Sequence, residues 1–172
     1  MFTKDFTAAE FSARRGKVFD AIGKNAVAIL QGEPSPRGYV RFRQSNEFYY
    51  LTGIEVPHAY LMLDGSSRRA TLYLPHRNEG RERGEGKMLS AADRDLVMKN
   101  AGVDSVFGSD LLAEHMSRRA RRANTVVYTP FSPPEGVAES RDLGIRVQMD
   151  IASDPWDGGT GRHIRFRKLI GN

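Results

Sequence analysis

The sequence predicts an α/β domain built on a mixed β-sheet flanked by helices. Two patterns lead there. Segments of helical periodicity alternate with short apolar runs of strand length, and two of those runs flank the turn Asp64-Gly65-Ser66-Ser67, a hairpin signal. The bulk composition agrees, since 172 residues at 40% hydrophobic and 27% charged suit one domain with a real core.

Thr7-Ala8-Ala9-Glu10 is a capping-box pattern ahead of Phe11, Val18, Phe19 and Ile22, which recur at helical spacing, and Gly23 ends the helix. Ala26 to Leu30 reads as a short buried strand, and a loop rich in Pro and Gly follows from Gly32 to Gly38. Tyr60 to Leu63 and Ala70 to Leu74 form the hairpin. His76 to Lys87 is too charged and glycine-rich to be core and is expected as an exposed loop. Ser90 caps a helix running to about Ala101, with Asp93 and Asp95 as first-turn acids that oppose its dipole. Val103 to Phe107 is a strand. Asp110 opens a helix whose Leu111, Leu112 and Met116 share one face, leaving Arg118, Arg119, Arg121 and Arg122 mostly on the other. Thr125 to Tyr128 is a further strand and Pro130 to Gly136 a loop; beyond Arg141 the pattern supports only a last helix from about Gly161.

Composition and motif searches exclude more than they assign. Without cysteine there is no disulfide framework, thiolate nucleophile or Cys-ligated zinc. The N-terminus lacks the apolar segment of a secretory signal, and no apolar run reaches the roughly 18 residues of a membrane span, so a cytoplasmic protein without membrane contact is expected. A net charge of +5 and a pI near 9.7 raise the question of nucleic acid. The arginine run reads better as a solvated helix face than as a phosphate-binding patch, and no nucleic-acid partner is expected.

The histidines His58, His76, His115 and His163 show no metal-ligand spacing among themselves. His76 with Glu79 and Glu82 is the nearest approach, but an exposed histidine is the favoured reading there. His115, among arginines, reads as a surface residue, and His58, after Pro57, is the one placed near a cleft. No GxSxG occurs, and Gly158-Gly159-Thr160-Gly161 lacks the lysine of a phosphate loop. No catalytic, cofactor-binding or metal-ligating residue is assigned. The residues alone describe a scaffold or binding module.

The run from Phe42 to Pro57, FRQSNEFYYLTGIEVP, carries more information. It resembles the signature of the N-terminal domain of aminopeptidase P, the Xaa-Pro aminopeptidase branch of the creatinase and prolidase family. Ser153-Asp154-Pro155-Trp156-Asp157-Gly158 resembles a segment near the end of that domain in one bacterial subgroup. The resemblance covers essentially the whole chain. Within the run, Phe48, Tyr49 and Leu51 are expected in the core, Gly53 permits a turn closed to other residues, and Arg43 and Gln44 can hold buried carbonyls.

The resemblance implies a creatinase/aminopeptidase P-like N-terminal domain, residues 1–172 forming one non-catalytic unit. Its partners would be a C-terminal catalytic domain of pita-bread fold, absent from this chain, and further copies in a homo-oligomer. That catalytic domain would hold two divalent metal ions, commonly manganese, and hydrolyse the bond before a proline; no cofactor is expected in the chain itself. The implied role is in oligomerisation and in shaping the substrate cleft, with Arg43, Tyr49, His58, Arg77, Glu82 and Arg83 as cleft or subunit-interface residues. The alternative is a stand-alone protein-binding module of the same fold. One position departs from the family: in many relatives the loop after the hairpin reads E-x-W-x-G, whereas here Glu82 and Gly86 match and Gly84 replaces the tryptophan.

Overall fold

The computed structural model describes residues 6–35, 41–122 and 124–130. The segment Ser153 to Gly158, the glycine run after it, the helix expected from Gly161 and most of the loop from Pro130 to Gly136 lie outside the described residues.

The mixed sheet is there, with five strands in the order β4-β3-β2-β1-β5. β1 (Ala26–Gln31) and β2 (Tyr60–Asp64) pair antiparallel, as do β2 and β3 (Arg69–Leu74), while β4 (Ser105–Gly108) joins β3 in parallel and β5 (Val126–Tyr128) joins β1 in parallel. Gln31 lies opposite Tyr60, Tyr60 opposite Tyr73 and Tyr73 opposite Phe107. The carboxyl ends of β1, β3, β4 and β5 therefore lie along one edge, with the start of β2 between them.

Both faces of the sheet are apolar because both are covered. Ala28, Leu30, Leu61, Leu63, Leu72, Leu74 and Val106 point into the main core with Phe48, Leu51 and Val97. That face is packed by α1 (Ala8–Ile22), α2 (Asn46–Thr52) and α4 (Arg94–Ala101). The alternate positions Val27, Met62 and Tyr73 form a smaller cluster under α5 (Leu112–Ala120), whose Leu112 and Met116 join it with Leu111, just as the helical spacing of those residues predicts.

Local chemistry sets the element ends. Thr7 accepts the Glu10 N–H at 3.2 Å, and the Glu10 carboxylate pairs with Arg14. Gly53 caps α2 with φ +65°, and a β-carbon there would collide with the Phe11 ring. Ser90 and Asp93 form a reciprocal capping box, so the helix expected from Ser90 begins as a 3₁₀ turn, Ala91–Asp93, before α4. The run from Asn46 to Thr52, to which the sequence pattern assigns no element, is a helix capped by the Ser45 hydroxyl. One expectation needs correction. The polar stretch after His76 is not wholly loop, since Asn78 caps α3 (Glu79–Glu85), an exposed helix that ends at Gly86.

The arginine-bearing helix also differs from its sequence reading. Arg118 pairs with Glu114 in solvent, but Arg119 turns inward to Asp64, the last residue of β2, with Nε to Oδ2 at 3.0 Å. Arg122 reaches the same carboxylate at 3.6 Å, and Ser66 donates to its other oxygen through N–H at 3.0 Å and Oγ–H at 2.7 Å. His115, expected on the surface, is half-buried, its Nδ1 2.9 Å from the Tyr73 hydroxyl and its ring edge-on to Phe107.

Burial pushes the Asp64 carboxyl up, but the Ser66 and Arg119 hydrogen bonds outweigh it and hold the group below its ordinary value. A carboxylate lowered by folding stabilises the fold above its unfolded pKa of about 3.9 and loses that contribution as pH falls through the folded value. Asp64→Asn should therefore cost about 1–3 kcal/mol at pH 7, with the deficit shrinking below about pH 4. Urea denaturation at pH 7 and pH 3 measures both; an equal deficit at the two pH values would sink the carboxylate account.

Candidate functional site

A cleft of about 170 Å³ opens at the edge where the carboxyl ends of β1 and β3 meet the start of β2. Ligand sites in open α/β sheets favour such an edge, because loops leaving adjacent strands can diverge there. Val56, Pro57, Pro75, Met88 and Leu89 give it apolar walls, and His58, Arg77, Arg81, Glu82 and Ser90 give it a polar rim.

The back of the cleft is fixed by Gln44, from the FRQ part of the sequence run. Its Nε2 donates to the Val56 carbonyl at 3.0 Å, while its Oε1 accepts from the Glu33 N–H at 2.6 Å and the Ser45 N–H at 3.0 Å. One buried amide thus ties the end of β1 to the start of α2 and to the turn that carries His58. A β-carbon at Gly32 would press on this amide. Gln44 does what the sequence suggested; Arg43 beside it is exposed.

His58 has φ +57°, in the left-handed region that few residues other than glycine adopt. Its N–H donates to the Glu33 carbonyl at 2.9 Å and its Nε2 accepts from the Ser35 N–H at 3.2 Å, which leaves the ring proton on Nδ1. Burial, helped by the nearby Arg81 charge, lowers its pKa, so the ring is neutral at pH 7.

On the opposite rim Arg77 donates to Asp93 at 2.7 Å and lies 3.9 Å from Glu82. The Asp93 hydrogen bond and charge raise the Arg77 pKa. Burial pushes Asp93 up, but Arg77 and the Ser90 donors outweigh it and lower the group. Glu82 also accepts the Met88 N–H at 3.2 Å. The cleft's carboxylates are thus committed to arginine, serine and backbone donors. Among the described residues no three His, Asp or Glu side chains converge as metal ligands. A two-metal centre of the kind the resemblance implies does not fit these residues.

Of the six residues proposed from sequence, His58, Arg77 and Glu82 meet at this cleft. Arg43 lies on the loop before α2, Tyr49 is half-buried on α2, and Arg83 is exposed on α3; none of the three lines it. Arg81 falls in the polar stretch whose arginines were expected to form ion pairs, whereas Ser90, and Asp93 behind Arg77, were not read as site residues. The Ser90-x-x-Asp93 spacing signals a capping box, but nothing local links Asp93 to Arg77, sixteen residues earlier. Gly84, where relatives carry tryptophan, sits in α3 facing open space, and a β-carbon there would meet no atom within 4 Å. His76 pairs with Asp110 at 2.7 Å rather than joining Glu79 and Glu82.

No helix among the described residues is long and apolar enough to cross a membrane. Comparison with known proteins places the fold. The chain resembles intermediate cleaving peptidase 55 of Schizosaccharomyces pombe at 27% identity over 134 residues, covering 73% of this chain and 27% of that protein. It resembles Xaa-Pro aminopeptidase 3 of Dictyostelium discoideum at 31% identity over 116 residues, or 63% of this chain and 21% of that protein. The chain therefore spans less than a third of these curated relatives.

Among solved structures, aminopeptidase P from E. coli with the inhibitor Pro-Leu superposes with a TM-score of 0.69 at 19% identity, covering 97% of this chain and 38% of that one. Proline aminopeptidase P II from Yersinia pestis gives 0.66 at 18% identity, covering 96% and 38%. At those identities the likeness speaks for the fold alone. The sequence model of the aminopeptidase P N-terminal domain matches residues 11–128, which takes in every described strand and the motif around Gly53, and on that match the chain belongs to the aminopeptidase P N-terminal domain family.

Proposed function

We propose that this chain is the non-catalytic N-terminal domain of a proline-specific metallo-aminopeptidase, acting in the cytoplasm and contributing to oligomerisation and to the shape of the substrate cleft. The family match over residues 11–128 carries the reading, and the chain's span of less than a third of its relatives leaves room in them for a separate catalytic domain. Metal chemistry, with manganese as the proposed ion, is assigned to that domain. The charged cleft supports a contact role, since His58, Arg77 and Glu82 present a neutral donor, a cation and an anion within one recess. Arg43, Tyr49 and Arg83, outside it, are proposed for the subunit interface.

The test compares the 172-residue chain with the full product of its gene, both supplied with manganese and a Xaa-Pro peptide. The full product should release the N-terminal residue and the 172-residue chain should not. Metal-dependent turnover by the shorter chain, in a preparation free of contaminating peptidase, would overturn the assignment.

A further inference from the structure

The two faces of the sheet are not equally secured. Three helices cover the main core, whereas the smaller cluster of Val27, Met62 and Tyr73 lies under α5 and the turn before it. Two polar clasps hold α5 there: Arg119 to Asp64, and His115 to the Tyr73 hydroxyl. We infer that α5 is a pH-sensitive flap, with His115 as its trigger, that loosens from the sheet under mildly acidic conditions and bares Val27, Met62 and Tyr73.

The geometry around His115 favours the neutral ring. Tyr73 is fully buried, and burial pushes its phenol up to about 12, so the hydroxyl 2.9 Å from His115 Nδ1 stays neutral and supplies no negative charge to hold an imidazolium. The imidazole packs edge-on to Phe107 with ring centres 4.9 Å apart, and Arg94 lies 5.9 Å from that same ring. On its own helix His115 faces Arg118 and Arg119, three and four residues on, where like charges repel. Glu114 is the nearby counter-charge, but it pairs with Arg118. Asp64 lies beyond Arg119 and is already engaged by it. Burial first, and the two arginines next, lower the His115 pKa.

Asp110, in the turn before α5, is bound by His76. The His76 hydrogen bond holds the Asp110 carboxyl below its ordinary value, so this pair anchors the turn and works against the flap.

The sign of the linkage follows. A histidine with a lowered folded pKa takes up its proton more readily when the helix is undocked, so acid favours the undocked form. If the undocked ring titrates at the ordinary value of about 6.5, its protonation at pH 5.5 can multiply the undocked population by at most about tenfold. Asp64 stays ionised across this range, so its pair with Arg119 adds no pH dependence of its own and the step belongs to His115.

Amide hydrogen exchange at pH 7.5 and pH 5.5, corrected for the intrinsic rate, reads this directly. Protection across Leu112 to Arg119 should fall several-fold at pH 5.5, while β1, β2 and β3 keep theirs. His115→Gln retains a partner for the Tyr73 hydroxyl without titrating and should abolish the step. Asp64→Asn should lower α5 protection at both pH values and leave the step in place. No step in the wild-type chain, an undiminished step in His115→Gln, or an equal loss over the whole sheet would each overturn the proposal.

Discussion

Arg15→Ala should lower the stability of this domain by about 3–5 kcal/mol, a large part of the 5–15 kcal/mol typical of a whole domain. Arg15 lies on α1 among Phe11, Val18 and Phe19, and its side chain is 1% exposed. Its guanidinium donates to the Leu51 carbonyl at 2.7 Å and to the Gly102 carbonyl. Those oxygens belong to the last turn of α2 and to the C-cap of α4, where helices leave carbonyls unpaired and carry their negative end. One cation therefore caps two helices and ties both to α1. Burial pushes its pKa down to about 10, against the pull of the Asp104 charge, and leaves it charged at neutral pH. Alanine would strand two buried carbonyls and open a cavity. Arg15→Met separates these losses: it keeps most of the packing and should cost about 2–3 kcal/mol for the stranded acceptors. A methionine variant with the wild-type urea midpoint would show that the carbonyls do not depend on the guanidinium.

Arg15 also marks where sequence reading ends. The apolar positions of α1 were legible because they recur at helical spacing, but a charged residue on that stripe has no local sign of its partners, which lie 36 and 87 residues away. Arg119 repeats the lesson, since its position predicts a solvated face and its carboxylate lies 55 residues back, on β2. The strands were readable because each is a short apolar run, and the hairpin because Asp64 and Ser66 make a turn within themselves. Their order in the sheet was not, because the β3–β4 and β1–β5 pairings are set by crossovers rather than turns. α2 and α3 escaped for different reasons. Seven residues are too few to establish a helical period, and α3 has no apolar stripe to reveal it. The candidate cleft was half legible: the position after Pro57 pointed to His58 and the polar stretch to Arg77 and Glu82, whereas Gln44's bridging of three backbone segments emerges only in the folded chain.

Phe48→Ala should cost a further about 3–5 kcal/mol, measured alone, and it tests whether the family-like run is first of all a folding element. Phe48 and Leu51 are fully buried and meet Val18, Leu61 and Leu72 in the main core, whereas Tyr49, also expected there, is only half-buried. The helix that presents them is too short to persist alone, so this burial is what holds α2 in place. Truncating the ring removes the largest apolar side chain of that helix from a close-packed site. Tyr50 supplies the contrast on the same helix. It is 42% exposed, and its ring stacks against the Arg14 guanidinium, with Cζ 4.4 Å from the ring centre. Tyr50→Ala should therefore cost only about 0.5–1 kcal/mol. Thermal and urea melts of the two variants, side by side, give both numbers under one set of conditions. Equal melting of Phe48→Ala and the parent would mean that the core does not rest on this ring. Equal and large losses at Phe48 and Tyr50 would mean that α2 is held as much by its outer stack on Arg14 as by the residues it buries.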